Sequence, residues 1–71
     1  MDEPTRAAFA ILWSLWKQYQ DIEGTEEEWQ NFLDAVEAVY DAADNAKDPD
    51  FIREFSLAIV NSVQRIYKKN H

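Results

Sequence analysis

Glycine and proline occur at only three positions in this chain of 71 residues, and each position coincides with a break between helical segments. Gly24 suits the left-handed backbone conformation that follows a helix C-terminus. Pro4 and Pro49 suit the first turn of a helix, where a backbone N–H is not needed. The apolar residues between these breaks recur every three to four positions, which is the helical period. We therefore predict helices at about 4–22, 26–46 and 49–69.

Capping patterns mark the starts of the second and third helices. Thr25 and Glu28 have the types and spacing of a capping box, and Asp48 stands directly before Pro49 as an N-cap. Because the connections between the helices are short, neighbouring helices run antiparallel. The predicted fold is all-α: a single domain, residues 1–71, that forms a small up-down-up three-helix bundle. The bundle either closes on its own or is completed by dimerisation.

The middle helix has one apolar face. Its large residues gather within roughly 120° of the helix circumference, the width of a single buried face. They are Trp29, Phe32, Leu33, Val36, Val39, Tyr40 and Ala43. A second face carries only small residues, which either favour the helix at an exposed surface or let another helix approach closely. These are Ala35, Ala38 and Ala42.

The first helix has a broader apolar arc, which covers roughly 200° of the circumference. Leu12 lies at the centre of this arc, and Trp13 lies at one edge. The other members are Ala8, Phe9, Ile11, Leu15, Trp16, Tyr19 and Ile22. A helix that contacts two neighbours can use a wide arc within the core. Alternatively, part of the arc faces a partner.

The third helix also carries more apolar surface than one stripe. Its core stripe consists of Ile52, Phe55, Ile59, Val63 and Ile66. Leu57, Val60 and Tyr67 fall outside this stripe on one flank, and Phe51 extends the opposite edge. Two of the three helices thus present an apolar surplus rich in Trp, Tyr and Leu. Large apolar patches on small chains are typical of interfaces, and aromatic residues often anchor them.

The sequence therefore predicts a non-catalytic, small helical protein–protein interaction module that binds through an aromatic apolar surface. Its partner is either a second copy, giving a homodimer, or another protein. The residues predicted to contact this partner are Ile11, Trp13, Leu57, Val60 and Tyr67.

The distribution of charge indicates an alternative function. Fourteen acidic and seven basic side chains give a net charge of −7, and residues 1–47 hold eleven of the acids and three of the bases. Such a chain is repelled by nucleic acids and anionic membranes, so we expect it to bind neither directly. Its acidic ridge would instead let it act as a nucleic-acid mimic of the phage type, which inhibits a nucleic-acid enzyme by occupying its basic channel. The ridge comprises Asp34, Glu37, Asp41 and Asp44.

Residues suited to catalysis or cofactor binding are scarce. The chain has no cysteine, and its one histidine is the final residue, His71. A single glycine cannot build a phosphate-binding loop, and the acidic stretch 44–55 lacks the central glycine and final glutamate of a calcium-binding EF-hand. We expect no enzyme activity, no cofactor and no metal. The lack of cysteine and of a basic, signal-like start favours a cytoplasmic location.

Overall fold

A computed structural model describes residues 2–71 and shows three helices that pack against one another. Helix α1 spans Glu3–Tyr19, α2 spans Glu26–Ala42 and α3 spans Pro49–Asn70. The longest dimension of the bundle, 38 Å, is close to the length of one helix, so the three helices lie side by side. The predicted all-α three-helix bundle is confirmed.

The predicted caps are present. The Glu28 backbone N–H donates to the Thr25 hydroxyl at 3.2 Å, and the Thr25 backbone N–H donates to the Glu28 carboxylate at 3.2 Å. The Asp48 carboxylate accepts a hydrogen bond from the Phe51 backbone N–H at 3.3 Å. Each cap satisfies an N–H that the first turn of a helix leaves without a backbone partner, so α2 and α3 begin where the sequence predicts.

Two of the helices end earlier than predicted. Helix α1 ends at Tyr19 rather than 22, and the Ile22 N–H bonds to the Tyr19 carbonyl, a turn that carries Ile22 into the core outside the helix. Helix α2 gives way after Ala42 to a 3₁₀ turn, Ala43–Asn45. Because Pro49 disfavours helical backbone in the residue before it, the chain must leave the helical conformation before α3.

The core takes residues from all three helices. Leu12, Phe32 and Val63 are fully buried, one from each helix, which confirms that Leu12 lies at the centre of the α1 arc. Ser56 is also fully buried, and its hydroxyl donates to the Ile52 carbonyl at 2.8 Å. The other buried apolar residues are Ala8, Ile22, Val36, Val39, Ala43, Ile52 and Ile59. The prediction that Leu33 belongs to the buried face of α2 is wrong, because Leu33 lies at the edge of that face and is exposed.

Hydrogen bonds at helix starts lower the pKa of two carboxyl groups. The Thr5 hydroxyl donates to Asp2 and holds the pKa of that carboxyl below its ordinary value. Asp2 also accepts from the Lys47 N–H at 3.2 Å, which ties the start of α1 to the connection between α2 and α3. The Thr25 backbone N–H likewise lowers the pKa of Glu28. Because both shifts are downward, their stabilising effect is present at neutral pH and is lost as the pH falls through the lowered pKa values.

Gly24 is placed by two constraints at once. Its φ of +89° lies in the left-handed region that side chains with a Cβ disfavour. A Cβ at this position would also collide with the ring of Tyr67, which meets the ring of Trp29 edge-on at 5.5 Å. The connection from α1 to α2 is therefore held against the C-terminal half of α3.

We predict that Gly24→Ala lowers the free energy of unfolding by about 2–4 kcal/mol, because a strained backbone and an overpacked contact add together. Chemical denaturation followed by circular dichroism measures this change. Thr25→Gly is the matched control at the neighbouring position, and it should cost only a few tenths of a kcal/mol because glycine is a tolerated N-cap. Equal stability of Gly24→Ala and the unmodified chain would contradict the packing described here.

Candidate interaction surface

The five residues predicted to contact a partner do not form one surface. Ile11 lies in a groove between α1 and α2, whereas Trp13 lies in a groove between α1 and α3. Leu57 is the most exposed of the five at 55%. It is one turn from Arg53, whose guanidinium lies over the ring of Tyr40 on α2, so Leu57 lies on the side of α3 that meets α2.

Val60 and Tyr67 are the two of the five that are not strongly exposed. Both are partly buried and pack against the core cluster, which corrects the expectation that they lie outside the core. Tyr67 contacts Trp29 on α2 and stacks on the ring of His71 at a centroid distance of 4.4 Å. Val60 and Tyr67 are therefore largely used within the bundle, whereas Leu57 on the same flank is exposed.

An aromatic face lies between α1 and α3. We use this name for the rings of Phe9, Trp13, Trp16, Phe51 and Phe55. Phe9 stacks on Phe55 across the two helices, with centroids 5.2 Å apart and planes 10° apart. Phe51 continues the row by stacking on Phe55 at 6.4 Å, and Trp13 stacks on Trp16 at 5.5 Å. These spacings are within the range of favourable aromatic pairs, so the rings support one another in defined orientations.

The floor of the aromatic face is fixed by a hydrogen bond. The indole N–H of Trp16 donates to the Ser62 hydroxyl at 2.9 Å, and this bond joins α1 to α3. Trp13 stacks on the fixed ring of Trp16, and the Lys17 amine lies 6.0 Å from the centroid of the Trp13 ring. Trp13 is nevertheless 47% exposed, so it is oriented by its neighbours while most of its outer surface meets solvent.

Phe9 and Phe51 belong to this face although neither was predicted to contact a partner. Each is 43% exposed. The signal that could have found them is the spacing of four residues between Phe9 and Trp13 and between Phe51 and Phe55, which places each pair on adjacent turns of one flank. The helical period of one helix does not show that these two flanks meet.

The charges are segregated from the aromatic face. Helix α2 carries six carboxylates and no basic residue, whereas α1 and α3 together carry three acidic and six basic residues. In a three-helix bundle the groove between α1 and α3 faces away from α2. The strongly acidic helix therefore lies opposite the aromatic face.

The predicted acidic ridge is exposed along α2 and the turn that follows it. Glu37 and Asp41 are solvent-exposed, and Asp34 is exposed while it accepts a hydrogen bond from the Gln30 amide at 2.8 Å. Asp44 differs from the other three because it forms an ion pair with Arg53. The hydrogen bond that the Arg53 guanidinium donates to the Asp44 carboxylate raises the pKa of Arg53.

A second apolar groove, of about 550 Å³, lies between α1 and α2. Small residues of both helices form its walls, so the alanine face of α2 borders an open groove rather than a closely packed helix. Its lining includes Pro4, Ala7, Ile11, Ala35, Ala38, Ala42 and Asn45.

Little reactive chemistry gathers in the part of the chain that the structure describes. Within residues 2–71, no three side chains of His, Cys, Asp or Glu come together as a metal site would require. The buried hydroxyl of Ser56 donates to a backbone carbonyl, and the hydroxyl of the half-buried Ser62 accepts a hydrogen bond from Trp16. None of the helices described here is both long and apolar enough to cross a bilayer.

Comparison with known proteins adds no assignment. No protein-family model, no curated protein and no solved structure matches this chain.

Proposed function

We propose that this chain is a non-catalytic protein–protein interaction module that binds through its aromatic face. The observation that carries the proposal is the row of stacked rings across α1 and α3, in which Phe9, Trp13 and Phe51 remain almost half exposed. Clustered apolar surface of this kind marks interfaces on small proteins, and Trp is enriched among residues that dominate binding energy.

The arrangement of the rings favours binding because little order has to be created. Trp16 is already held by Ser62, and Trp13 is already stacked on Trp16. A partner that covers Trp13 therefore gains apolar burial while losing little side-chain freedom. An exposed Trp without such support would lose more conformational entropy on binding.

We predict that Trp13→Ser separates binding from folding. The substitution should lower the free energy of unfolding by no more than about 1 kcal/mol, as surface changes do, yet weaken association by about 2 kcal/mol, or roughly thirtyfold. Leu12→Ala should instead lower the free energy of unfolding by roughly 2–5 kcal/mol, because this substitution opens a cavity in the core. Thermal melts report the fold, and binding is measured both as self-association in sedimentation and as capture of other proteins by the immobilised chain.

Leu33→Ser is the matched binding control, because Leu33 is 40% exposed on α2, away from the aromatic face. It should leave both forms of association unchanged. The proposal fails if Trp13→Ser and Leu33→Ser reduce association equally. It also fails if Trp13→Ser destabilises the fold as much as Leu12→Ala, because Trp13 would then be a core residue.

A second candidate function is the nucleic-acid mimic, favoured by the concentration of six carboxylates without a basic residue on α2. In this proposal the ridge binds the basic channel of a nucleic-acid enzyme. The double variant Glu37→Lys/Asp41→Lys should then abolish capture of basic proteins, and capture by the unmodified chain should fall steeply between low and high salt. Capture that persists in the double variant and in high salt would exclude the mimic and is expected for binding through the aromatic face.

A further inference from the structure

The rim of the aromatic face on α3 changes its charge from one end to the other. Glu54 lies one turn from Phe51 at the N-terminal end of the face, and Asp50 lies one turn before Glu54. Arg65 lines the groove at the other end, and Lys69 follows it by one turn. All four charged side chains are exposed, so each is accessible to a partner that covers the face.

Helix α1 preserves this polarity. The stacking of Phe9 on Phe55 and the hydrogen bond from Trp16 to Ser62 show that α1 and α3 run parallel in constant register. At the acidic end, the charges of Arg6 and Glu3 compensate each other through an ion pair at 2.6 Å. At the basic end, Lys17 adds a further positive charge beside Trp13. Along helices α1 and α3, the charges that border the aromatic face are therefore acidic at one end and basic at the other, and the carboxylates of Asp21 and Glu23 lie beyond the end of α1 in the connection to α2.

We infer that the partner on the aromatic face is a second copy of this chain, packed antiparallel across a two-fold axis that runs perpendicular to the helices. This inference rests on the proposed function. A two-fold interface must be complementary to itself, and a surface with oppositely charged ends meets that requirement only when one copy is reversed. In a parallel pair, the acidic ends would lie together and the basic ends would lie together.

The register of such a dimer follows from the charges. Glu54 faces Arg65 of the second copy when the axis passes midway between these two positions, about 8 Å along the helix from each. The constant register of α1 and α3 places Trp13 at the same level. The most exposed ring of the aromatic face would thus pack against its own equivalent at the centre of the interface, where residues that dominate binding energy are concentrated.

Two copies that each carry a net charge of −7 repel one another, but the position of the charges limits this repulsion. Most of the acidic excess lies on α2, which is on the far side of the bundle from the aromatic face. The two helices that meet the second copy carry more basic than acidic residues, with the acidic ones towards one end. The α2 carboxylates of the two copies are therefore kept apart by the width of both bundles, and salt screens the repulsion that remains.

Charge reversal tests the inference. Glu54→Lys and Arg65→Glu should each weaken the homodimer about tenfold, because each places like charges at two symmetric points of the interface. An equimolar mixture of the two variants should form a heterodimer about as tight as the unmodified homodimer, since every facing pair is then opposite in sign. Sedimentation equilibrium over micromolar to millimolar concentrations measures all three affinities.

Glu37→Lys is the matched control, because it makes the same change of charge at an exposed position on α2. It should not weaken the homodimer. The inference is overturned if the Glu54→Lys homodimer is no weaker than the Glu37→Lys homodimer, or if the heterodimer in the mixture is as weak as the homodimer of either variant. It is also overturned if the unmodified chain stays monomeric at millimolar concentration. If the chain is monomeric, Trp13-dependent capture of another protein would leave the proposed function intact. If no such capture occurs either, both the proposed function and the homodimer are excluded.

Discussion

The contact of three helices around a common core decides the rest of this structure. Leu12, Phe32 and Val63 are completely withdrawn from solvent, and each comes from a different helix. Burial of side chains of this size is the dominant favourable contribution to folding in so small a chain. Once these three positions face inward, the orientation of each helix about its own axis is fixed. This orientation decides which neighbouring helix each flank contacts.

This fixed orientation sorts the surplus apolar residues by flank. On α1, Ile11 and Trp13 lie on opposite sides of Leu12, so the first borders α2 and the second borders α3. The α3 flank of α1 meets the Phe51 and Phe55 flank of α3, which assembles the aromatic face. The carboxylates of α2 lie on the side away from it. Apolar and acidic surfaces are thus separated on opposite sides of the bundle.

The sequence predicts the fold better than it predicts the site, for a physical reason. Capping by Thr25 and Asp48 and the burial of Leu12 are local or depend on one helix, so periodicity and cap chemistry reveal them. The site depends on which flanks of different helices meet. A helical projection places Ile11 and Tyr67 outside their core stripes, but it does not show that one lines the α1–α2 groove and the other packs over Gly24.

Association of this chain through its aromatic face is tested most directly by following backbone amide NMR shifts on dilution from millimolar to micromolar concentration. We predict that the changes concentrate at Phe9, Trp13, Phe51 and Phe55, and that amides near Asp34 and Glu37 on α2 stay constant. Changes confined to the groove between α1 and α2, or to the acidic ridge, would contradict it.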